Sequence, residues 1–411
     1  MQSSFPMGAW VYRDLNQVTK KDIDDWRDCG LTLTFSPNYD PEKHDKQKML
    51  DIMDYCYECG IRLIVCDRRA RWGKAAEEPE EYKKRFQEAY NDFGKHKATW
   101  GFHVGDEPSL DAAPNVVKAY EIQLEVAPEL VPFINYFPFY EPRIDDIAEA
   151  IFPNIEMKHM CYDYYAQMVK GQKPDGYFKQ LKKFKEHADK YGVPLWTTLL
   201  SMGHWAYEEP NRNDFIWQIS TAVASGCEGL LWFHFYTQKA SANYRNGPIN
   251  KFGERSLTYI NMSEAIREFH LVHGEHFSHL KLVKSYHVGE AFGGYDLFKE
   301  GDSDVILKVE DVRNHNPLIL SFFKDENGDD YFAVVCNSRT DIARVNLTIS
   351  TKAGKIVNLG NNSVVTPTVI TQALAAGGVT ETAEEDKIPD SYEHIAWYAP
   401  GQLCLYKIEK N

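Results

Sequence analysis

The stretch from residue 99 to residue 108, Thr-Trp-Gly-Phe-His-Val-Gly-Asp-Glu-Pro, is an apolar run that passes directly into two adjacent carboxylates. Its first six residues have the composition of a buried strand. Seven further runs of this kind lie between residue 7 and about residue 275, and they alternate with charged stretches of helical periodicity. The seven runs span residues 7–12, 31–35, 61–66, 131–136, 157–162, 194–199 and 229–234. Eight such units predict an α/β fold, a (β/α)8 TIM barrel, more than a doubly wound sheet.

The pattern changes after about residue 280, where helical periodicity largely disappears. Five short apolar runs follow, and the segment 325–329 between two of them has the composition of a hairpin turn. The runs are 305–309, 318–323, 331–336, 343–349 and 403–408. The chain is therefore predicted to form a barrel over residues 1–278 and a small antiparallel β-sandwich over 285–411, in which 373–390 is a long loop.

The amino-acid composition limits the kinds of partner that the protein is expected to bind. The chain has 411 residues and a net charge of −14, which disfavours a nucleic-acid partner because phosphates would be repelled. No apolar run approaches the ~18 residues that a membrane span requires, so no membrane partner is expected. Aromatic residues make up 13% of the chain, which fits either a sugar-binding cleft or large cores. Nothing in the sequence predicts the oligomeric state.

The eight cysteines are scattered, and the single Cys-x-x-Cys at Cys56 and Cys59 has no second ligand pair. A metal site is therefore not expected, and nothing implies an organic cofactor. Cysteines inside apolar runs favour a reducing compartment. Met1 is followed by polar residues without an apolar leader. We expect a cytoplasmic protein, or a secreted one whose signal peptide is absent from this sequence.

In a TIM barrel the functional residues stand at the carboxyl ends of the strands. Polar and aromatic residues are frequent at those predicted ends, whereas no lysine there suits a Schiff base. Such a rim suits acid–base chemistry on a polyhydroxylated ligand. The candidate carboxylates are Asp106, Glu107 and Asp163. The candidate binding residues are Asp14, Asn135, Tyr136, Tyr164, His204, Trp205, Trp232, His234 and Tyr236.

The adjacent pair Asp106 and Glu107 is the clearest indication of a catalytic site. Two neighbouring negative charges raise the pKa of one carboxyl, and a raised pKa is what a general acid needs at neutral pH. The alternative interpretation is that the two acidic residues only open a helix, where they favour the first turn.

The segment 101–108 resembles the fourth-strand motif of barrel glycoside hydrolases, in which the glutamate donates a proton. Its Asp-Glu-Pro form resembles a family-42-like group within the clan of retaining β-glycosidases. The segments 135–138, 162–165, 194–204 and 226–233 fit the same group in order, and 317–338 resembles the β domain that often follows. The resemblance implies a carbohydrate substrate and hydrolysis of O-glycosidic bonds in oligo- or polysaccharides, with Glu107 as the general acid.

One departure concerns the second carboxylate. The retaining clan places a nucleophilic glutamate at the end of strand seven, but residues 196–205 contain no carboxylate. Asp163 is the first candidate for the missing partner. Alternatively, Asp106 and Glu107 resemble the Asp-Glu pair of family 20 and family 123 β-N-acetylhexosaminidases, in which the substrate's acetamido group is the nucleophile. A barrel that binds carbohydrate without cleaving it, or a sugar lyase or isomerase, remains a further alternative.

Two other features of the sequence each have two interpretations. Trp232 either forms the floor of a sugar subsite or belongs to the core. The arginines Arg68, Arg69 and Arg71 either bind an acidic or sulfated sugar or pair with nearby carboxylates, and the second interpretation is favoured.

Overall fold

The computed structural model describes residues 5–137, 143–238, 243–367 and 390–410. Eight parallel strands form one sheet, in the order β1-β8-β7-β6-β5-β4-β3-β2. The strands are β1 (Met7–Ala9), β2 (Leu33–Phe35), β3 (Arg62–Val65), β4 (Thr99–Asp106), β5 (Val131–Tyr136), β6 (Met160–Asp163), β7 (Leu195–Leu200) and β8 (Gly229–Phe233). Each lies within or beside one of the eight predicted runs, so the barrel prediction is confirmed.

The sheet closes at the seam between β1 and β2 with the help of threonine side chains. The backbone N–H of Thr32 donates to the carbonyl of Met7 at 2.8 Å. The Oγ1 atoms of Thr32 and Thr34 accept from the N–H groups of Met7 and Ala9 at 3.0 and 3.1 Å. Gly8 permits this approach, because a Cβ there would lie 1.8 Å from the carbonyl oxygen of Leu33.

Helices follow the strands along the chain. They are α1 (Lys20–Cys29), α2 (Lys46–Glu58), α3 (Pro79–Ala89), α4 (Ala113–Val126), α5 (Arg143–Ile151), α6 (Asp175–Tyr191), α7 (Arg212–Ala224), α8 (Leu257–Phe269) and the short α9 (Glu275–Phe277). Two of them begin with a capping box, formed by Thr19 with Asp22 in α1 and by Asn211 with Asp214 in α7. Each box satisfies backbone N–H groups that a helix start would otherwise leave unpaired.

Side chains alternate across each strand, and this alternation decides which residues reach the barrel interior. Rings from β4, β5 and β7 pack inside: Trp100 stacks on Trp196 at 5.0 Å, and His103 lies 6.0 Å from Phe133. Trp100 and His103 both face inward because β4 shifts register against β3 between Thr99 and Gly101, whereas Phe102 turns outward and packs on Phe86 of α3.

The C-terminal part of the chain is an antiparallel sandwich, as predicted. One sheet has the order β10-β13-β16, and the other has the order β15-β14-β17-β12-β11-β9. The strands are β9 (Lys281–Val288), β10 (Ile306–Asp311), β11 (Leu318–Lys324), β12 (Asp330–Cys336), β13 (Ala343–Ser350), β14 (Lys355–Asn358), β15 (Ser363–Val364), β16 (Ser391–Tyr398) and β17 (Leu403–Glu409). The sequence missed β9, β14, β15 and β16, and the predicted loop 373–390 lies outside the described residues except for Asp390. Buried apolar residues of both sheets share one core.

The chain divides into two compact units. The first contains Met1–Gln172, Lys183–Pro210 and Cys227–Arg267, and the second contains Lys173–Lys182, Asn211–Gly226 and Glu268–Asn411. Within the second unit, α7 packs under the larger sheet of the sandwich. Trp217 donates its indole N–H to Asn337 at 2.8 Å, and the hydroxyl of Ser321 donates to the carbonyl of Ala224 at 2.7 Å. The boundaries drawn from the sequence, 1–278 and 285–411, stay a prediction.

This packing predicts the behaviour of a shortened chain. We expect a fragment ending at residue 280 to be mostly insoluble, because it would expose the buried face of α7, including Phe215 and Trp217. The soluble fraction and size-exclusion profile of the fragment, compared with those of the full chain, provide the measurement. A soluble, monomeric fragment with the full chain's helical signal would contradict this expectation.

Candidate active site

The site is built at the carboxyl end of β4. Glu107, which directly follows β4, has a φ of 46°, and its backbone N–H donates to the carbonyl of Asn135 at 2.9 Å. Tyr12 and Trp205, which follow β1 and β7, also have a φ of 46°. A left-handed backbone at a non-glycine residue costs about 1–3 kcal/mol and is concentrated at functional sites. These three positions therefore mark the same end of the barrel as its functional face.

Three carboxyl groups, those of Asp106, Glu107 and Asp163, form what we call the carboxylate cluster. The side-chain amide of Asn135 holds two of them together, because its Nδ2 donates to Asp106 Oδ1 at 3.0 Å and to Asp163 Oδ1 at 2.7 Å. Asp106 and Asn135 are register partners of the adjacent strands β4 and β5. The hydroxyl of Tyr12 donates to the other oxygen of Asp106 at 3.2 Å.

The three carboxyls of the cluster differ in what raises or lowers their pKa. Loss of hydration raises the pKa of Glu107 to about 7, and the negative charge of Asp106 adds to the rise. Burial raises the pKa of Asp163 far above its ordinary value, and the charges of Glu107 and Asp106 raise it further. Burial also raises the pKa of Asp106, but the hydrogen bonds from Asn135 and Tyr12 oppose that change. The pKa of Glu107 therefore lies near neutrality, and that of the more deeply buried Asp163 is shifted in the same direction.

A local irregularity of β4 shapes this end of the barrel. The register between β4 and β5 shifts between His103 and Gly105. The indole of Trp72 lies directly over Gly105, where a Cβ would come within 1.9 Å of the ring. Bulges of this kind re-aim the side chains that follow them. The shift and the missing side chain together let β4 present Asp106 and Glu107 in succession.

An aromatic wall extends from the cluster along the ends of β7 and β8. Its members are Tyr12, Tyr165, His204, Trp205, Tyr207, Phe233, His234 and Tyr244. Phe233 links its two ends, since its ring lies 6.0 Å from both Tyr12 and Tyr165. Trp205 is 71% exposed, and its backbone N–H is held by Asn243 at 2.8 Å. The wall thus offers flat apolar surface next to the carboxylates.

His234 contributes an unusual pair of polar atoms to this wall. Both of its ring nitrogens are buried and lack a hydrogen-bond partner among the described residues. Burial lowers the pKa of His234 to about 3, so the ring is neutral at pH 7. Buried polar atoms are nearly always paired, so this ring is an exception within the wall.

Two predicted binding residues face away from the site because of strand alternation. Tyr136 follows the inward-facing Asn135, so its ring turns outward and packs edge-on against Phe152 at 5.1 Å. Trp232 precedes the inward-facing Phe233 and has 0% exposure. The prediction that Trp232 floors a sugar subsite is thereby corrected, since a fully buried ring offers no surface to a ligand.

Two further predicted residues stand in loops and make structural contacts elsewhere. Asp14 pairs with the ring of His44 at 2.9 Å. The hydroxyl of Tyr236 donates to Asp22 at 3.0 Å and accepts from the indole of Trp26 at 2.9 Å. The contacts of Tyr236 hold α1, and Asp14 contacts the loop before α2, so neither residue belongs to the carboxylate cluster. Tyr164 is half-buried directly after β6.

The structure adds residues that the sequence did not single out. They are Tyr12, Tyr165, Phe233 and Tyr244. Alternation alone could have found Tyr165, which lies two residues after Asp163, and Phe233, which lies two residues after the inward-facing Leu231. For Tyr12 the sequence offers only its place after the first strand.

No group of three or more histidine, cysteine or acidic side chains suited to a metal ion occurs among the described residues. All eight cysteines are free thiols. The described residues include no helix that is long and apolar enough to cross a membrane.

No family model matches this chain, and no curated protein matches it by sequence. Solved structures do share its fold. A family 5 glycoside hydrolase from Bacteroides vulgatus superposes with a TM-score of 0.56 at 11% identity, over 98% of this chain and 89% of that one. A β-galactosidase from the haloarchaeon Halorubrum lacusprofundi superposes with a TM-score of 0.50 at 11% identity, over 64% of this chain and 58% of that one. At such low identity the likeness establishes the fold: a barrel followed by a β domain.

Proposed function

We propose that this protein is a glycoside hydrolase in which Glu107 is the general acid. The observation that carries the proposal is Glu107 itself: an accessible carboxyl at the end of β4, held in a left-handed backbone, with a pKa of about 7 beside two further carboxyls. A glycosidic oxygen is a poor leaving group unless it is protonated as the bond breaks, so a carboxylic acid that keeps its proton near neutrality suits the task.

The two solved structures that share the fold support the same class of reaction. One is named a family 5 glycoside hydrolase and the other a β-galactosidase. Their similarity supports the class and carries no information on the sugar or the linkage, since a fold hosts many specificities.

The partner of Glu107 is better explained by Asp106 than by Asp163. A nucleophile or general base must be ionised, but Asp163 is 5% exposed and its pKa is strongly raised. Both aspartates accept hydrogen bonds that favour their charged forms, so the lesser burial of Asp106 is what favours its ionisation. Asp163 then serves as a support for Asn135, from which it accepts a hydrogen bond at 2.7 Å.

This assignment makes a substrate-assisted reaction the first candidate. Asp106 and Glu107 are sequence neighbours, and neighbouring side chains cannot flank one anomeric carbon from opposite faces. A 2-acetamido group on the substrate would then attack the anomeric carbon, with Asp106 orienting it and Glu107 protonating the departing oxygen. The second candidate keeps a protein or water nucleophile and uses Asp163 as the partner of Glu107.

The aromatic wall supplies the proposed sugar-binding surface. Trp205 is exposed and fixed through its backbone, which suits stacking against a sugar ring. Tyr12, which is 44% exposed and stands at the other end of the wall, offers a second accessible ring. His204 lies between them, its ring stacked on Tyr244 at 5.4 Å.

The pKa of Glu107 predicts how activity changes with pH. A general acid works only when protonated, so kcat/KM is expected to fall tenfold per pH unit above a midpoint near 7. An ordinary glutamate, with a pKa of ~4.3, would place this limb far lower. The measurement is a kcat/KM profile from pH 4 to 9 on a natural oligosaccharide. A flat profile through pH 8 would contradict the assignment.

The proposal is tested with a panel of 4-nitrophenyl glycosides that covers both anomers and includes 2-acetamido sugars. Release of nitrophenol by the native chain is the expected result, and a Glu107→Ala variant should lose the cleavage of an oligosaccharide, whose leaving group needs protonation. Sugar binding without any release would favour the non-hydrolytic barrel, and release as an unsaturated or isomerised product would favour a lyase or isomerase.

A further inference from the structure

We propose that Arg71 binds an anionic substituent of the sugar, either the carboxylate of a uronic acid or a sulfate ester. The assignment of this sugar as the substrate rests on the glycoside hydrolase function proposed above. The binding of the anion by Arg71 is tested separately.

The arginines that follow β3 differ in their partners. Arg68 pairs with Asp40 at 3.1 Å, and Arg69 is buried between carboxylates, with Asp67 at 2.8 Å. Arg71 is exposed and makes no ion pair with any carboxylate in the described parts of the chain. The sequence favoured pairing for all three arginines, and the structure gives pairs to the first two only.

The guanidinium of Arg71 lies beside the carboxylate cluster. Its Nη1 donates to Nδ1 of His103 at 2.9 Å, and His103 stands on β4 three residues before Asp106. His103 in turn donates from Nε2 to the carbonyl of Gly105 at 2.9 Å. Burial and the charge of Arg71 hold the pKa of His103 well below its ordinary value. This histidine is therefore a neutral acceptor. The positive charge of Arg71 acts on the nearby Asp106, whose pKa it lowers.

The segment that carries Arg71 is fixed on both sides. The carbonyl of Ala70 accepts from the hydroxyl of Tyr82 and from the amide of Gln123, both at 2.8 Å and both buried. The backbone N–H of Trp72 donates to the carbonyl of Val104 at 3.0 Å. A cation held this firmly loses little conformational freedom when it binds a ligand.

The negative charge of the protein makes a cation such as Arg71 beside the site significant for ligand binding. The chain carries a net charge of −14, and the site itself contains three carboxyls, so an anionic ligand would be repelled without a local cation. A guanidinium matches planar carboxylates and sulfates with two parallel N–H donors. The competing explanation is that Arg71 only offsets the charge of the cluster. In that case its loss would weaken neutral and anionic ligands alike.

The experiment measures binding by calorimetry in a Glu107→Gln background, so that turnover does not interfere. The probes are D-glucuronate, D-galacturonate, glucose 6-sulfate and galactose 6-sulfate, with D-glucose and D-galactose as neutral matches. We expect at least one anionic sugar to bind about 10–100-fold more tightly than its neutral match, the usual weight of a charge-assisted hydrogen bond. The preference should disappear in Arg71→Gln and persist in Arg68→Gln, the matched control from the same loop.

The outcomes separate the possibilities. A preference for the uronates or for the sulfated sugars identifies the anion, provided that Arg71→Gln removes it. Equal affinity for anionic and neutral sugars, no measurable binding of any anionic sugar, or an equal loss for both kinds in Arg71→Gln overturns the proposal. Failure of the nitrophenyl panel with an intact anionic preference would count against hydrolysis and leave the Arg71 subsite standing.

Discussion

Glu107→Gln is expected to lower the turnover of natural glycosides by about 10²–10⁴-fold, the usual contribution of general acid catalysis. The amide keeps the size of the side chain but cannot protonate the departing oxygen. Substrates with a good leaving group, such as dinitrophenyl glycosides, need little protonation, so their turnover should fall far less. The measurement compares kcat on both kinds of substrate in the native chain and the variant.

The fold should survive this change, because Glu107 lies at the accessible end of β4 and its side chain supports no core contact. Circular dichroism and the melting temperature of the variant serve as the control. An equal loss on both kinds of substrate, in a folded variant, would show that Glu107 does not act as the acid. The pH limb near 7 should also disappear from any residual activity of Glu107→Gln, since the group that produces it is gone.

Asp106→Asn is expected to have the second large effect, a loss of about 10²–10³-fold in kcat, comparable to removing one preorganised electrostatic group. Asp106 is the carboxylate whose charge Tyr12 and Asn135 stabilise. Asp163→Asn should cost less than about tenfold, because burial raises the pKa of Asp163 and so disfavours the negative charge that the amide lacks. Both variants are measured on sugars with and without a 2-acetamido group.

The comparison of these two aspartates decides the mechanism. If Asp163→Asn abolishes activity on sugars without an acetamido group, Asp163 is the partner of Glu107 and our preference for Asp106 is wrong. If activity depends strictly on the acetamido group and only Asp106→Asn is severely impaired, the substrate supplies the nucleophile. Tyr12→Phe provides a milder control, since it removes one hydrogen bond to Asp106 and leaves the carboxylate in place.

The fold was readable from the sequence because it rests on local patterns. Eight apolar runs alternating with helical periodicity identified the barrel, and the loss of that periodicity after about residue 280 identified the sandwich. The sandwich strands that were missed, such as β9 and β16, have exposed or half-buried residues along most of their length, so they lack the apolar runs that mark a strand. The pair Asp106 and Glu107 was also local, since both residues follow one strand.

The rest of the site was decided by tertiary structure. Asn135 joins Asp106 to Asp163 across three strands, and no sequence interval encodes that bridge. The inward or outward direction of Tyr136 and Trp232 depended on the register of strands whose ends the sequence does not fix, and a shift of one residue exchanges the two faces. The sequence by itself therefore determined which residues could be acids. Only the folded barrel decided which of them are buried, which interact through their charges and which share a neighbour. Protonation depends on these surroundings, which are assembled from distant parts of the chain.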